Sequence, residues 1–288
     1  MNKPLFEGVC TALVTPFLNG EVNYPMMEQL IRRQLDAGIK AIALAGTTGE
    51  APTLSCEEKL EMFQRAKQFV GNDCLIIAGT GFNNTAQTAA FSLAAQEQGV
   101  DGLLIVSPYY NKATSDGLLA HYLSVAHTVS IPIIMYNVPS RTGVDISVSV
   151  YQQLTAIPNI AGTKEASTDI TKVTRLCSAQ CQMTVWTGND QHIVPAISLG
   201  AKGVISVLSN VVPAETKAMV SAALDGDFDT AASLQQQLQP LVDLLFCEVN
   251  PIPVKAAMKY LGYDCGGCRL PLTDLSMENQ KKLERYFR

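Results

Sequence analysis

Eight short apolar runs, recurring roughly every 20 to 35 residues with helix-patterned segments between them, predict a (β/α)₈ barrel for this chain. A doubly wound open sheet is the competing α/β arrangement, but no G-x-G-x-x-G follows the first run. With 288 residues, 47% of them hydrophobic, the chain is long and apolar enough to fill one large barrel core. Four helix patterns without an intervening strand close the sequence. They exceed what a barrel needs, so a small C-terminal helical extension is expected, with the catalytic barrel at 1–226 and the extension at 227–288.

The first strand is read at Val9–Val14 and ends at Thr15-Pro16. Asn23 is positioned to cap a helix whose Met27, Leu30, Ile31, Gln34 and Leu35 share a face, with Gly38 as its stop. Ala41–Ala45 is the second strand, followed by Gly46-Thr47-Thr48-Gly49-Glu50. Ser55 and Glu58 have capping-box spacing for a helix turning Leu60, Phe63, Ala66 and Val70 inward. Leu75–Ala78 and Leu103–Val106 are the third and fourth strands, with a helix from Thr85 to Gln98 between them. Ser107-Pro108-Tyr109-Tyr110-Asn111 follows the fourth strand, and Ile131–Tyr136 is the fifth. The sixth lies in Asn159-Ile160-Ala161-Gly162-Thr163-Lys164-Glu165, and Thr184–Thr187 and Gly203–Val207 complete the set. Ala214–Leu224, Phe228–Phe246, Pro253–Leu261 and Met277–Phe287 are the closing helices.

Composition excludes several classes. A net charge of −5 does not suit a nucleic-acid-binding face. No run of eighteen apolar residues occurs, and Met1-Asn2-Lys3-Pro4 does not open a signal peptide, so a soluble cytoplasmic protein without membrane association is expected. Eight cysteines scattered through a core-rich chain are expected to be reduced. Cys265-Gly266-Gly267-Cys268 has redox or zinc spacing without a second pair; free thiols are favoured, and a local disulfide stays open. His121, His127 and His192 lack metal-ligand spacing, H-E-x-x-H and the phosphate-binding G-x-x-x-x-G-K-[ST] are absent, and no metal is expected.

In a barrel of this kind, chemistry sits where the strands end. Of thirteen lysines, Lys164 ends its own strand, whereas Lys40 and Lys202 precede theirs. A desolvated lysine loses its proton more readily and becomes a nucleophile for carbonyl carbon. Thr47, Thr48, Tyr109, Tyr110, Tyr136 and Arg141 fall at the same end. Singly, each has an ordinary reading as turn, packing or ion pair. Together they supply an amine nucleophile, hydroxyl proton carriers and a guanidinium for a carboxylate, which is metal-free Schiff-base chemistry.

The runs Gly46-Thr47-Thr48-Gly49-Glu50, Pro108-Tyr109-Tyr110-Asn111, Tyr136-Asn137-Val138-Pro139-Ser140-Arg141-Thr142-Gly143 and Thr163-Lys164-Glu165-Ala166 carry a family resemblance. With Gly203-Val204-Ile205-Ser206-Val207 and Asn250-Pro251-Ile252-Pro253-Val254-Lys255, they resemble the dihydrodipicolinate synthase/N-acetylneuraminate lyase family of class I aldolases, in order and over nearly the whole chain. The resemblance implies condensation of pyruvate with L-aspartate 4-semialdehyde to 4-hydroxy-tetrahydrodipicolinate, towards diaminopimelate and lysine. It implies Lys164 as the Schiff-base residue, with no cofactor, and Tyr136, Thr47 and Tyr110 as a proton relay. The tyrosine matching Tyr110 would come from a neighbouring subunit of a homotetramer, or at least a dimer. Thr48 is implied for the pyruvate carboxylate, Arg141 for the semialdehyde carboxylate, and the Ile205 carbonyl near the lysine amine. Feedback by lysine is expected to be weak or absent: Ala51, Cys56, Lys59 and Gln87 replace the effector-binding residues, while Asn83 and Tyr109 are kept. Another pyruvate-dependent aldolase, or a silent keto-acid-binding paralogue, is the alternative reading.

Overall fold

The computed structural model describes residues 4–288 and contains a closed barrel of eight parallel strands. They are β1 (Gly8–Ala12), β2 (Ala41–Leu44), β3 (Leu75–Gly79), β4 (Gly102–Val106), β5 (Ile133–Asn137), β6 (Ile160–Glu165), β7 (Val185–Thr187) and β8 (Gly203–Ser206). Each strand lies beside its sequence neighbours, and β8 closes on β1 with Cys10 opposite Ile205. This is the (β/α)₈ fold expected from the spacing of the apolar runs. The opening residues 1–3, where no signal peptide was expected, lie outside the described residues.

Helices α1 (Tyr24–Asp36), α2 (Cys56–Val70), α3 (Thr85–Glu97), α4 (Ser115–Thr128), α5 (Val148–Leu154), α6 (Thr171–Cys177), α7 (Ile193–Ser198) and α8 (Pro213–Leu224) follow the strands in turn. The Asn23 side chain accepts from the Met26 N–H at 3.1 Å, and Ser55 and Glu58 form both halves of a capping box. Such caps contribute about 1 kcal/mol each by satisfying orphan donors. Beyond α1, Gly38 takes φ +76°, a left-handed conformation that carries the chain out of the helix towards β2. On α2 the buried face is Lys59, Met62, Phe63, Ala66 and Val70, while Leu60 is only half-buried. The last three helices, Phe228–Leu245, Ile252–Tyr260 and Met277–Phe287, follow α8.

Two local features differ from the sequence expectation. β5 starts at Ile133 rather than Ile131, because Pro132 has no N–H to donate to a ladder. Phe17–Leu18 and Glu21–Val22 form a small antiparallel hairpin through Asn19-Gly20, both at positive φ. Asn-Gly is the favoured pair for such a turn, so this signal was present in the sequence.

Alternation along the strands sorts two cores. Val9, Ile42, Ile76, Leu103, Ile133, Met135, Val185 and Val204 point outward into the layer shared with the helices. Cys10, Ala41, Ala43, Ile77, Leu104, Ile134, Tyr136, Trp186 and Ile205 fill the barrel interior. Phe6 stacks on Trp186 at 4.7 Å, and the indole N–H donates to the Phe6 carbonyl at 3.1 Å. Tyr136 is the ladder partner of Lys164, and Lys164 of Trp186. No helix among the described residues is long and apolar enough to cross a membrane.

Candidate active site

Lys164 lies one residue before the end of β6 and is 5% exposed. Its ammonium sits 4.6 Å from the centre of the Tyr136 ring, a favourable contact between a cation and an aromatic face. Among the described residues no carboxylate comes within 4.0 Å of it. Gly188, directly after β7, makes room for the lysine stem. A Cβ there would stand 2.8 Å from Lys164 Cε and 2.7 Å from Ala166 Cβ. Cys10 shares the interior with Lys164; burial pushes its thiol well up, and the lysine charge opposes that shift.

Polar groups at the strand ends tie together the residues that follow these two. Asn137 Nδ2, following Tyr136 in β5, donates to Glu165 Oε1 at 2.9 Å and to Asp145 Oδ1 at 2.8 Å. Glu165 Oε1 also accepts from the Ser167 N–H at 2.7 Å, and Lys172 pairs with both Asp145 and Glu165. The ends of β5 and β6 are thereby tied together immediately beside the Tyr136–Lys164 contact. Asp190, fully enclosed after β7, accepts from Ser206 Oγ at 2.6 Å and from the Val207 and Leu208 N–H groups at 3.0 Å each. Burial raises its carboxyl above the usual range, while these donors and the Lys164 charge oppose the rise. That set fixes the exit of β8, the strand carrying Ile205.

A cavity of about 320 Å³ opens at this end of the barrel. Thr47, Tyr109, Tyr136, Val138, Arg141 and Asn250 are among its walls. Lys164 does not line it; the Tyr136 ring, against which Lys164 lies, does. The loop bearing Thr47 and Thr48 is clamped from below. Glu50 accepts from Lys255 Nζ at 2.9 Å and from the Arg269 N–H at 2.8 Å, and Thr15 Oγ1 donates to the Gly49 carbonyl at 2.7 Å.

The structure therefore brings together most of the residues singled out in the sequence. Lys164 and Tyr136 touch, Thr47 and Arg141 share the cavity with Tyr136, and Ile205 lies within the barrel interior. Thr48 is buried, and its hydroxyl accepts from Asn250 Nδ2 at 3.0 Å. Arg141 Nη2 donates to the Asn250 carbonyl at 3.2 Å. Tyr110 is the exception: it is 89% exposed, at φ +72°, and away from the cavity of its own chain.

Sequence reasoning gave no role to Asn137, Glu165, Asp190 or Asn250. Asn250 joins Thr48 to Arg141 and keeps a buried Oδ1 without a partner. Its place in the Asn250-Pro251-Ile252-Pro253 run was the one signal available. Among the described residues no group of three or more His, Cys, Asp or Glu side chains is arranged to hold a metal ion. Cys265 and Cys268 are separate thiols, and burial pushes each up to about 12.

Comparison with known proteins bears on what this arrangement does. Residues 5–288 match the profile of the dihydrodipicolinate synthetase family. The 4-hydroxy-tetrahydrodipicolinate synthase of Exiguobacterium sibiricum is 47% identical over 270 residues, covering 93% of this chain and 92% of the relative. That of Acetivibrio thermocellus is 41% identical over 286 residues, covering 99% and 97%. The crystal structure of dihydrodipicolinate synthase from Aquifex aeolicus superposes with a TM-score of 0.95 at 43% identity, covering 98% of this chain and 97% of the other. A structure described as a monomeric dihydrodipicolinate synthase variant superposes equally well, at 0.95 and 38% identity, over 98% of this chain and 95% of its own.

Proposed function

The chain belongs to the dihydrodipicolinate synthetase family, and from that premise we propose how its own residues carry the reaction. It is a lyase of the class I aldolase type, condensing pyruvate with aspartate 4-semialdehyde to 4-hydroxy-tetrahydrodipicolinate in diaminopimelate and lysine biosynthesis. The Lys164 amine attacks the pyruvate ketone and water leaves, giving a Schiff base. Loss of a methyl proton yields an enamine, whose carbon bonds to the aldehyde of the semialdehyde. The semialdehyde's own amine then displaces Lys164 as the ring closes, so the enzyme is regenerated without a cofactor.

Tyr136 is the proton carrier in this reading. A neutral phenol is a weak base and passes its proton through a chain of hydroxyls. Thr47, on the same cavity wall, both donates and accepts. Tyr110 completes the relay from a neighbouring subunit, which accounts for its exposure and its absence from its own cavity. A cytoplasmic homotetramer of two dimers is the assembly we propose, with the barrel at 1–226 and the helical extension at 227–288. Thr48 receives the pyruvate carboxylate and Arg141 that of the semialdehyde, with Asn250 between them. The Ile205 carbonyl stands by the lysine amine. Lysine feedback is weak or absent, because Lys59 presents a cation to a cationic effector; half-saturating inhibition at low lysine in a steady-state assay would contradict this.

One observation carries the assignment: a buried ammonium at a strand's C-terminal end, without an acid partner and against a tyrosine on the cavity wall. Borohydride added with pyruvate should leave a reduced adduct on the peptide containing Lys164, and Lys164→Ala should lose turnover by on the order of 10⁴–10⁶-fold. No adduct, or an adduct on another lysine, would remove the proposed mechanism.

A further inference from the structure

The ladder between β5 and β6 is irregular just before the reacting pair. Ile133 stands opposite Ile160, but Ile134 stands opposite Gly162, so Ala161 is an extra residue with no partner in β5. Beyond this bulge the alternation is regular. Gly162 lies against the Trp186 ring and Lys164 against the Tyr136 ring, inside the barrel. Thr163 meets Tyr151 of α5, and Glu165 pairs with Lys172 of α6, in the outer layer.

A bulge of one residue has a built-in competitor, the same two strands without it. Taking Ala161 into the ladder would set Thr163 opposite Tyr136 and Lys164 opposite Asn137. Every side chain from Gly162 onward would change face, and the lysine would leave the barrel. Parallel backbone hydrogen bonds are evenly spaced and can be remade in either register, so the choice falls to the side chains.

Those side chains favour the observed register. Asn137 and Glu165 are the ladder pair directly after Tyr136 and Lys164, and both are buried. The Asn137 amide is engaged at both ends. Its Nδ2 donates to the two Glu165 oxygens at 2.9 and 3.1 Å and to Asp145 Oδ1, while its Oδ1 accepts from the Ile146 N–H at 3.0 Å. Glu165 is held further by the Ser167 N–H and by the Lys172 ammonium at 3.7 Å. In the bulge-free register Asn137 Nδ2 would face an ammonium, donor against donor. Gly162 makes the observed register possible sterically: a Cβ there would stand 2.5 Å from the Thr184 carbonyl oxygen and 2.7 Å from Trp186 Cζ3.

We infer that Asn137 and Glu165, backed by Lys172, are positioning residues that lock β6 in the register which turns Lys164 into the barrel against Tyr136. They act by disfavouring the bulge-free pairing and have no part in the proton relay. The inference rests on the roles proposed above for Lys164 and Tyr136, and assigns what keeps those two face to face.

Deleting Ala161 supplies the test, because it makes the observed pairing the regular one. Ile134–Gly162 and Tyr136–Lys164 then follow Ile133–Ile160 with no bulge, and the lock becomes dispensable. Glu165→Leu leaves Lys172 its pair with Asp145, and in the full-length chain it should lower kcat/KM by at least about tenfold. The deletion alone should stay within about threefold of wild type, and adding Glu165→Leu to it should lower kcat/KM by no more than about threefold again. Glu165→Gln keeps an acceptor for the Asn137 amide, should fall between wild type and Glu165→Leu, and replaces the latter if that chain does not fold. Equal losses in the two backgrounds, no loss in either, or a folded deletion variant without turnover would each overturn the lock. If the deletion variant does not fold, the crystal structure of the Glu165 variant decides: Lys164 opposite Asn137 in some or all molecules is expected, and Lys164 opposite Tyr136 in every molecule overturns it. Borohydride with pyruvate on wild type separates the lock from the chemistry. No adduct at Lys164 would end the proposed reaction, while the register seen in the variant crystal would still decide the lock.

Discussion

Lys255 and Lys164 are both buried near the mouth of the barrel, but their surroundings differ in kind. Lys255 donates to Glu50 Oε1 at 2.9 Å and to the Gly267 carbonyl at 2.7 Å, and lies 4.4 Å from the Phe17 ring centre. Lys164 has the Tyr136 ring alone. The first arrangement uses up the charge, and in doing so fastens the Thr47–Thr48 loop to the C-terminal helices and the segment at Arg269. The second leaves the amine free for a reaction partner, and its stability cost is borne by the packing around it. Lys172, paired with Asp145 and with Glu165, the residue next to Lys164, belongs with the first kind. Lys255 and Lys172, which build this site, are paired, while Lys164, lying against the Tyr136 wall of the cavity, has no acid partner.

The contrast breaks most visibly at Lys255. Replacing it with Met leaves Glu50 buried with no cation, and loss of one partner from such a pair costs about 3–5 kcal/mol. Urea unfolding of Lys255→Met should show a loss of that size; an unchanged midpoint would mean that Glu50 finds water or another donor. At Tyr136 the effect is on turnover rather than stability. Tyr136→Phe keeps the ring over Lys164 but removes the hydroxyl, so kcat should fall by about 10²–10³-fold while borohydride-trapped pyruvate adduct still forms. Equal loss of turnover and adduct would make Tyr136 a packing residue.

The smallest effect is expected at Lys59. Its pKa is lowered by burial, so between that lowered value and the ordinary lysine range the unfolded chain binds the extra proton. Stability therefore rises with pH through this window, and below it the buried charge is a standing cost. Lys59→Met should be at least as stable as wild type at pH 7, by less than about 2 kcal/mol, and should lose the rise in alkaline solution. Thermal melts from pH 7 to 10 measure both. A large destabilisation would show that the two ring contacts more than offset desolvation.

Much of the site was legible because barrel strands alternate with a period of two and chemistry collects at their ends. Tyr136 and Lys164 each fall at an inward position near the end of a strand, and that can be counted along the chain. Leu60 shows where counting fails: the apolar residue is only half-buried, and the neighbouring lysine takes the core position. The residues that tie strands together, such as Asp190 to Ser206 or Asn250 to Thr48, read locally as ordinary loop polar residues. Their partners lie across the barrel, and nothing in the spacing of either residue specifies the other.

By itself, the order of residues determined the number of barrel strands, which side chains enter the interior and which end of the barrel carries the lysine, because these follow from short-range periodicity. Only tertiary structure decided which buried charges are paired. Glu50 meets Lys255 across more than two hundred residues of chain, and Lys59 meets two aromatic rings instead of an acid. Ion pairing acts over a few ångströms in space, and sequence separation carries no information about that distance.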